Sequence, residues 1–320
     1  MTKGKSPIMT QMEKVFRHTR ANSFGTRARY ESSCRNFVGF LDEKFKMKNL
    51  RNLQDKHVIA YIQYRQAEGI SPKTLKNDLG AIRYMHDMIP NVKHEISHNK
   101  GLKDDFSVAL DKTPAVKGNR AWTEREYNDM QQFVQGMART DGRGAETAAD
   151  VRDVMQLART MGLRVTEAVA MSRSQVEQAL RTGIYQVKNE AKNGKWRQVP
   201  LSRQGRQVME NKIKNVPRGE RLFIRPEEKT HAAVNRVEKF MQNNRIQFET
   251  IEGREVRLYQ GVSNALTYHG LRYNYVQDRM RQEMEKGYSK LQVATIVTKE
   301  VGHERIDVIN IYLGGEITIN

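Results

Sequence analysis

Apolar residues recur at helical spacing in the first third of the chain, and this periodicity limits the fold more than any other sequence feature. The stripe over residues 30–45 advances in steps of three or four positions, and its members are Tyr30, Cys34, Phe37, Leu41 and Phe45. Such spacing gives an α-helix one apolar face and leaves its other faces polar. The region therefore predicts amphipathic helices that pack on a shared core.

Start and stop signals divide this region into separate helices. Asp55 is predicted to be the N-cap of a second helix, and Gly69 is predicted to end it. A third helix is predicted from Ser71-Pro72, because serine caps a helix well and proline suits its first position. Its apolar stripe continues as far as Pro90.

The length of 320 residues exceeds the usual size of one domain and favours two. Between residues 90 and 119 the sequence becomes polar and its periodicity fades, most clearly near residues 112–118. The predicted organisation is a helical N-terminal domain over residues 1–112, a linker over 113–119 and a second domain over 120–320.

Capping patterns predict further helices in the second domain. Thr123 with Glu126, and Ser174 with Glu177, each place a hydroxyl residue three positions before a glutamate, as in a capping box. Helical spacing also runs through residues 151–162, 234–241 and 271–284.

One segment departs from the helical pattern. Residues 183–188 and 196–201 are predicted strands, and Asn193-Gly194 between them is typical of a tight β-hairpin. Alternation at residues 316–320 predicts a short further strand, with disorder as the alternative. The predicted fold class is mainly α with a small antiparallel β-sheet.

The charge balance indicates a polyanionic partner. Lysine and arginine total 55 against 37 acidic residues, which gives a formal net charge of +18. Nucleic acid is the favoured partner, although basic side chains on solvated faces would give the same balance. Lys73, Lys76 and Arg83 lie off the apolar stripe of the third helix and are candidates for phosphate contacts.

The cysteine count and hydropathy exclude several protein classes. Cys34 is the only cysteine, so an intramolecular disulfide and a thiolate zinc site cannot form, and its position in the stripe predicts burial. His18, His57 and His231 have no partners at metal-ligand spacing, so neither a metal nor another cofactor is expected. Without an apolar run of about 18 residues or a signal peptide, the predicted location is cytoplasmic and no membrane partner is expected.

A set of dispersed basic residues and a tyrosine suits chemistry on a phosphodiester. Cleavage by a protein hydroxyl requires an attacking oxygen, neutralised phosphate oxygens and a proton for the departing oxygen. Arginine binds two phosphate oxygens through its planar fork, and a desolvated lysine can donate a proton. Candidates for these tasks are Arg164, Lys192, His269, Arg272, His303 and Tyr312.

The order and spacing of these motifs resemble the tyrosine recombinase (phage integrase) family. Gly162-Leu163-Arg164 resembles the turn that carries the family's first catalytic arginine. Glu167 resembles the acidic residue that supports the site, with a simple ion pair to Arg164 as the alternative. The segment of residues 192–201 resembles the family's lysine hairpin. By this resemblance Lys192 protonates the leaving 5′ oxygen, with Lys195 as the alternative, and Lys195 and Arg197 are candidate DNA contacts.

Two further motifs complete the resemblance. His269-Gly270-Leu271-Arg272 matches the family's His-x-x-Arg motif, and Val301-Gly302-His303 resembles its Leu-Gly-His motif. Tyr312 follows His303 at the family's nucleophile spacing. Tyr259, Tyr268, Tyr273 and Tyr275 are weaker candidates.

The resemblance implies a two-domain DNA clamp, with a core-binding N-terminal domain and a catalytic domain. It implies a site-specific recombinase of the integrase or transposase type, from a mobile genetic element, that forms a 3′-phosphotyrosine intermediate. Double-stranded DNA with a specific recombination site, a homo-tetramer on two such sites, accessory DNA-bending proteins and a place on the bacterial nucleoid are the implied context. The alternatives are a type IB topoisomerase-like nicking-closing enzyme and a non-catalytic DNA-binding accessory factor on the same scaffold.

Overall fold

The structure, a computed structural model, describes residues 6–18, 24–108, 110, 118–142, 144–188, 191, 194 and 196–314. The chain divides into two compact units, Met1–Ala115 and Val116–Asn320. The predicted strand at residues 316–320 lies outside the described part.

The first unit is helical throughout its described elements. The predicted stripe lies on α2, where Cys34, Phe37 and Leu41 are fully buried, whereas Phe45 at the end of the helix is 38% exposed. Burial raises the pKa of the Cys34 thiol, which donates to the Ala81 carbonyl at 3.3 Å. The elements are α1 Pro7–His18, α2 Phe24–Phe45, a 3₁₀ turn Leu50–Asn52, α3 Asp55–Ala67, α4 Pro72–Asp87 and α5 Asn99–Phe106.

The predicted start of α4 is confirmed, because the Ser71 side chain accepts from the Thr74 amide and Pro72 is the first helical residue. The predicted N-cap of α3 was wrong by one position. Gln54 is the N-cap, and its backbone amide donates to Nδ1 of the His57 ring at 3.0 Å. The Asp55 carboxylate instead accepts from the amide and hydroxyl of Ser97, a distant residue that the local sequence pattern could not reveal.

The second unit is mainly helical with small antiparallel sheets, which confirms the predicted class. The predicted strands pair as β1 and β2, with Tyr185 opposite Val199. A second hairpin, β3 with β4, was not predicted because two-residue strands are too short to show alternation. The elements are α6 Glu124–Ala138, α7 Ala145–Met161, α8 Val165–Val169, α9 Arg173–Thr182, β1 Ile184–Val187, β2 Arg197–Pro200, α10 Arg203–Ile213, α11 Thr230–Asn244, a 3₁₀ turn Arg245–Phe248, α12 Ile251–Val256, β3 Leu258–Tyr259, β4 Val262–Ser263, α13 Tyr268–Glu285, α14 Lys290–Glu300, a 3₁₀ turn Ile306–Val308 and α15 Ile309–Tyr312.

Of the two predicted capping boxes, the one formed by Thr123 and Glu126 is confirmed at the start of α6. The box at Ser174 was wrong. α9 begins two residues earlier than that box implies, with Ser172 as N-cap and Gln175 as its reciprocal partner. Glutamine serves in a capping box as well as glutamate does, so the sequence offered two overlapping starts.

Helix α7 is central to the second unit and packs against α6, α10, α11 and α13. Its inward residues are fully buried, as the predicted helical spacing requires; they include Val151, Val154, Met155, Ala158 and Met161. The helix ends at Gly162, whose φ of +60° turns the chain towards Arg164. Among the residues that the structure describes, no helix is long and apolar enough to cross a membrane.

Candidate active site

Four separate segments of the second unit meet at one site. Arg164 is the N-cap of α8, and His269 and Arg272 lie in the first turns of α13. His303 follows α14, and Tyr312 ends α15. These five residues are far apart in sequence, and the helical packing of this unit brings them together.

The Tyr312 hydroxyl lies between two of the predicted catalytic side chains. His303 Nε2 is 3.0 Å from this oxygen, and Arg272 Nε donates to it at 3.4 Å. Gln277 donates to the Tyr312 backbone carbonyl at 2.8 Å, which fixes the end of α15 against α13. The tyrosine is 4% exposed. Its oxygen is therefore positioned by a base and a cation together.

Arg272 is fully buried and held at both ends of its guanidinium. It donates to the backbone carbonyls of Gly162 and Val301. Burial, together with the positive charges of Arg164 and Arg197, lowers the pKa of Arg272 to about 10, against the opposing effects of Tyr312 and Glu167. The side chain therefore remains a fixed cation at neutral pH.

Glu167 joins two arginines beneath the site. Its carboxylate accepts from Arg164 Nη1 at 2.7 Å and from both terminal nitrogens of Arg197 at 2.7 and 2.6 Å. Burial raises the pKa of Glu167, but the Arg197 hydrogen bonds and the charges of Arg197, Arg164 and Arg272 outweigh it, and the pKa falls to about 2. Glu167 is thus a permanent anion that orients Arg164.

The ring of His269 lies beside the tyrosine, with its centroid 5.9 Å from that of Tyr312. Desolvation lowers the pKa of His269 to about 4, assisted by the charges of Arg272, Arg120 and Arg164. The ring is therefore neutral at pH 7 in the free protein. It can donate one hydrogen bond and accept another.

We expect His269 to titrate near pH 4 by NMR, with His269→Gln identifying its resonance. The unfolded chain takes up this proton near the ordinary histidine pKa of 6.5 and the native state only near 4, so His269 makes the native state less stable as pH falls over that interval. The His269→Gln variant should lose less stability than wild type between these pH values. Titration of His269 near 6.5 would contradict this arrangement.

A cavity of about 430 Å³ opens beside these groups. Arg164, His269 and Arg272 line it together with Arg120 and Thr267. Arginine side chains and a helix N-terminus both favour anions. Tyr312 does not itself line the cavity, but His269 and Arg272 both line it and both contact the tyrosine, so a phosphate bound in the cavity would lie near Tyr312.

Several predicted residues lie elsewhere. Lys192 and Lys195 fall outside the residues that the structure describes. The prediction of Arg197 as a DNA contact was wrong, because its side chain is 5% exposed and bound to Glu167 and the Glu300 carbonyl. On α4, Lys73 is exposed and Lys76 is half-buried. Arg83 is a poor DNA contact, since it donates twice to the Ser97 carbonyl.

The competing tyrosines occupy other environments. Tyr275 is buried and donates to Glu300 at 2.7 Å, and Tyr268 is buried in the main core. Tyr273 packs on Tyr312 with ring centroids 4.7 Å apart, and burial raises the pKa of Tyr273 to about 12. Tyr259 is a half-buried residue of β3.

Two features of the site escaped the sequence prediction. Arg120 lines the cavity, yet it belongs to no motif and lies in a stretch without periodicity. The link from Arg197 to Glu167 joins β2 to α8, and a pairing across 30 positions leaves no local pattern. Within the described part of the chain, no cluster of three or more His, Cys, Asp or Glu side chains could hold a metal ion.

Gly162 connects the core to the site, and we expect Gly162→Ala to destabilise the protein by about 2–4 kcal/mol. Its φ is +60°, and an added Cβ would overlap the ring of Tyr275. Gly183→Ala is the control, because φ there is +72° and a Cβ would meet nothing within 4 Å. Urea unfolding should show a clearly larger loss for Gly162→Ala; equal losses would mean that the Tyr275 contact has no effect.

Two family models match the chain. The family described as "Phage integrase, N-terminal" matches residues 6–93, and the family described as "Phage integrase family" matches residues 123–315. A search of curated protein sequences gave no match.

Among solved structures, the Tn1549 transposon integrase in complex with transposon right end DNA is 15% identical, with a TM-score of 0.54 over 98% of this chain and 96% of that chain. The XerH site-specific recombinase bound to palindromic difH substrate is 16% identical, with a TM-score of 0.54 over 95% of this chain and 80% of that chain. At such low identity these likenesses concern the fold. The family match over most of the second unit establishes that the chain belongs to the phage integrase family of tyrosine recombinases.

Proposed function

We propose that the protein is a site-specific DNA recombinase that cleaves and rejoins DNA strands through a phosphotyrosine at Tyr312. The observation that carries this proposal is the position of the Tyr312 hydroxyl, which lies within hydrogen-bonding reach of His303 and of Arg272, one of the arginines that line the cavity. This geometry supplies a nucleophile, a group that can accept its proton and a phosphate-binding site in one place.

In the proposed reaction, the Tyr312 oxygen attacks the scissile phosphorus and its proton passes to His303. The bond from phosphorus to the 5′ oxygen breaks, and Lys192 donates a proton to that leaving oxygen. Arg164 and Arg272 stabilise the charge on the non-bridging oxygens. Because Glu167 and backbone carbonyls already hold both arginines, little reorganisation is needed in the transition state.

The covalent intermediate retains the free energy of the original ester. A 5′-hydroxyl of a partner strand can therefore displace the tyrosine, and rejoining requires no nucleotide. Exchange between strands requires two DNA sites, and we propose a homo-tetramer on them, assisted where needed by DNA-bending proteins. The proposed setting is the bacterial nucleoid.

In this proposal residues 1–112 form a DNA-binding domain, residues 113–119 a linker and residues 120–320 the catalytic domain, which together clamp the duplex. The exposed Lys73 on α4 and Lys195 in the hairpin are proposed phosphate contacts. Affinity should then fall steeply with salt, because phosphate contacts release counterions.

Covalent trapping tests the proposal. A duplex with a candidate site from the DNA flanking the gene, nicked beside the crossover, would be incubated with the protein in EDTA and resolved on a denaturing gel. A DNA–protein adduct would support a tyrosine nucleophile. Tight binding without an adduct would favour the accessory factor, and relaxation of supercoiled plasmid that lacks the site would favour the topoisomerase-like activity.

A further inference from the structure

The side chain of Arg120 lines the active-site cavity. Its Nε is buried and has no hydrogen-bond partner among the residues that the structure describes. A buried donor on a charged group is costly when it is unpaired, and an anion would satisfy it. The cavity that Arg120 lines also contains Arg164, His269 and Arg272.

The backbone around Arg120 is fixed against the helix that carries two of the site residues. The Trp122 amide donates to Asn274 Oδ1 at 2.9 Å, and Asn274 Nδ2 donates back to the Trp122 carbonyl at 2.8 Å. The Trp122 indole donates to the Thr267 carbonyl at 3.0 Å, immediately before α13. These hydrogen bonds of Trp122 hold the backbone next to Arg120 in place.

Gly270 makes this close approach possible. A Cβ at position 270 would overlap the Arg120 carbonyl and the Trp122 ring. The glycine within His269-Gly270-Leu271-Arg272 therefore allows the Arg120 segment to lie directly on the start of α13. The 18-residue helix α13 also presents its positive N-terminal end to the cavity.

The charge of Arg120 also acts on two residues that pack on Tyr312. After desolvation and Arg272, the Arg120 charge is the next cause that lowers the pKa of His269. It also opposes the rise of the Tyr273 pKa that burial produces. Tyr273 and His269 both pack on Tyr312.

We propose that Arg120 is a third arginine of the phosphate site, which binds the scissile phosphate or the phosphate next to it on the same strand. This inference rests on the proposed function and extends it, because it assigns a substrate contact to a residue outside the recognised motifs. The planar guanidinium of Arg120 would add two charge-assisted hydrogen bonds to those that Arg164 and Arg272 make to the phosphate.

The test couples the protein variant to neutralisation of single phosphates. Duplexes would carry a methylphosphonate at the scissile position or at successive neighbours, and binding would be measured with Tyr312→Phe protein so that no strand is cut. Neutralising a phosphate that Arg120 contacts should weaken binding less when that arginine is already absent. At the scissile phosphate or at the phosphate next to it, the loss of affinity caused by the methylphosphonate should therefore be at least about threefold smaller in protein that also carries Arg120→Gln. Arg120→Lys, which retains the charge, should recover part of the penalty.

Arg125→Gln is the matched control, because this nearby arginine is 78% exposed and lies outside the cavity. Arg125→Gln should leave unchanged the loss of affinity that a methylphosphonate causes at the scissile phosphate and at its neighbour. Equal penalties with and without Arg120→Gln, or coupling only at more distant phosphates, would overturn the inference.

Covalent trapping on the nicked duplex distinguishes a failure of this inference from a failure of the proposed function. In trapping with an intact Tyr312, Arg120→Gln should form adduct about tenfold more slowly than Arg125→Gln. Adduct formation at equal rates would overturn the role of Arg120 while the recombinase proposal stands. A complete lack of adduct with wild type would refute the chemistry, and the binding test would still decide whether Arg120 contacts phosphate.

Discussion

Replacing Tyr312 with phenylalanine should abolish the covalent DNA adduct while DNA binding remains close to that of wild type. Loss of the nucleophile is expected to reduce the cleavage rate on the order of 10³-fold or more, because the remaining residues cannot supply an attacking oxygen. Arg272 and His303 lose one hydrogen-bond partner, but the arginine keeps both backbone carbonyls. The fold and the phosphate cavity should therefore persist.

Tyr273→Phe is the control for this experiment. Its ring packs directly on Tyr312 and is equally inaccessible, so the substitution makes the same chemical change 4.7 Å away, measured between ring centroids. Tyr273→Phe should still form adduct, and peptide mapping of the wild-type adduct should identify Tyr312. An adduct that survives Tyr312→Phe would assign the nucleophile to another residue and refute the proposed mechanism.

Removing the charge of Glu167 should have the second largest effect. Glu167→Gln would leave Arg164 and Arg197 without their common anion in a buried site, which typically costs about 3–5 kcal/mol of unfolding free energy. We also expect slower adduct formation, because Arg164 would lose the partner that orients it. Glu177→Gln is the control, since its pair with Arg173 is at the surface and should contribute little.

The pH dependence of the unfolding free energy provides an independent check of the ion pairs that Glu167 forms. Glu167 has a pKa of about 2 in the native protein against the ordinary glutamate pKa of 4.5, so its contribution to stability is fully present above pH 4.5. As pH falls from 4.5 towards 2, the unfolded chain takes up the Glu167 proton while the native carboxylate remains ionised, so this stabilisation is progressively lost. Urea unfolding of wild type and Glu167→Gln should therefore converge over that interval. A constant difference would show that the charge of Glu167 is not the cause.

Sequence patterns predicted those parts of the molecule that depend on neighbours along the chain. The stripe on α2, the start of α4 and the β1–β2 pairing follow from local spacing and capping. Sequence patterns could not predict contacts between distant residues. The Ser97 hydroxyl donates to the Asp55 carboxylate, and the Arg197 side chain donates to Glu167. Both errors concern a side chain whose partner lies 30 or more positions away.

The candidate site likewise contains residues that the sequence could predict and one that it could not. Spacing and resemblance singled out Arg164, Arg272, His303 and Tyr312, and the packing of the second unit brings these four together. Arg120 could not be predicted, because its importance depends on lying against Gly270, 150 positions later in the chain. A single arginine in an aperiodic segment carries no signal until the fold is known.

The order in which the site residues occur in the chain has a consequence for synthesis of the protein. Arg164, His269, Arg272 and His303 all precede Tyr312, and the hydroxyl of Tyr312 is positioned only when α15 docks on α13 through Gln277. A chain still on the ribosome therefore contains the cationic residues before the proposed nucleophile has emerged. If Tyr312 is the nucleophile, as proposed, nascent or truncated chains that lack α15 would bind DNA without breaking it, and unfinished copies of the protein would leave the genome intact.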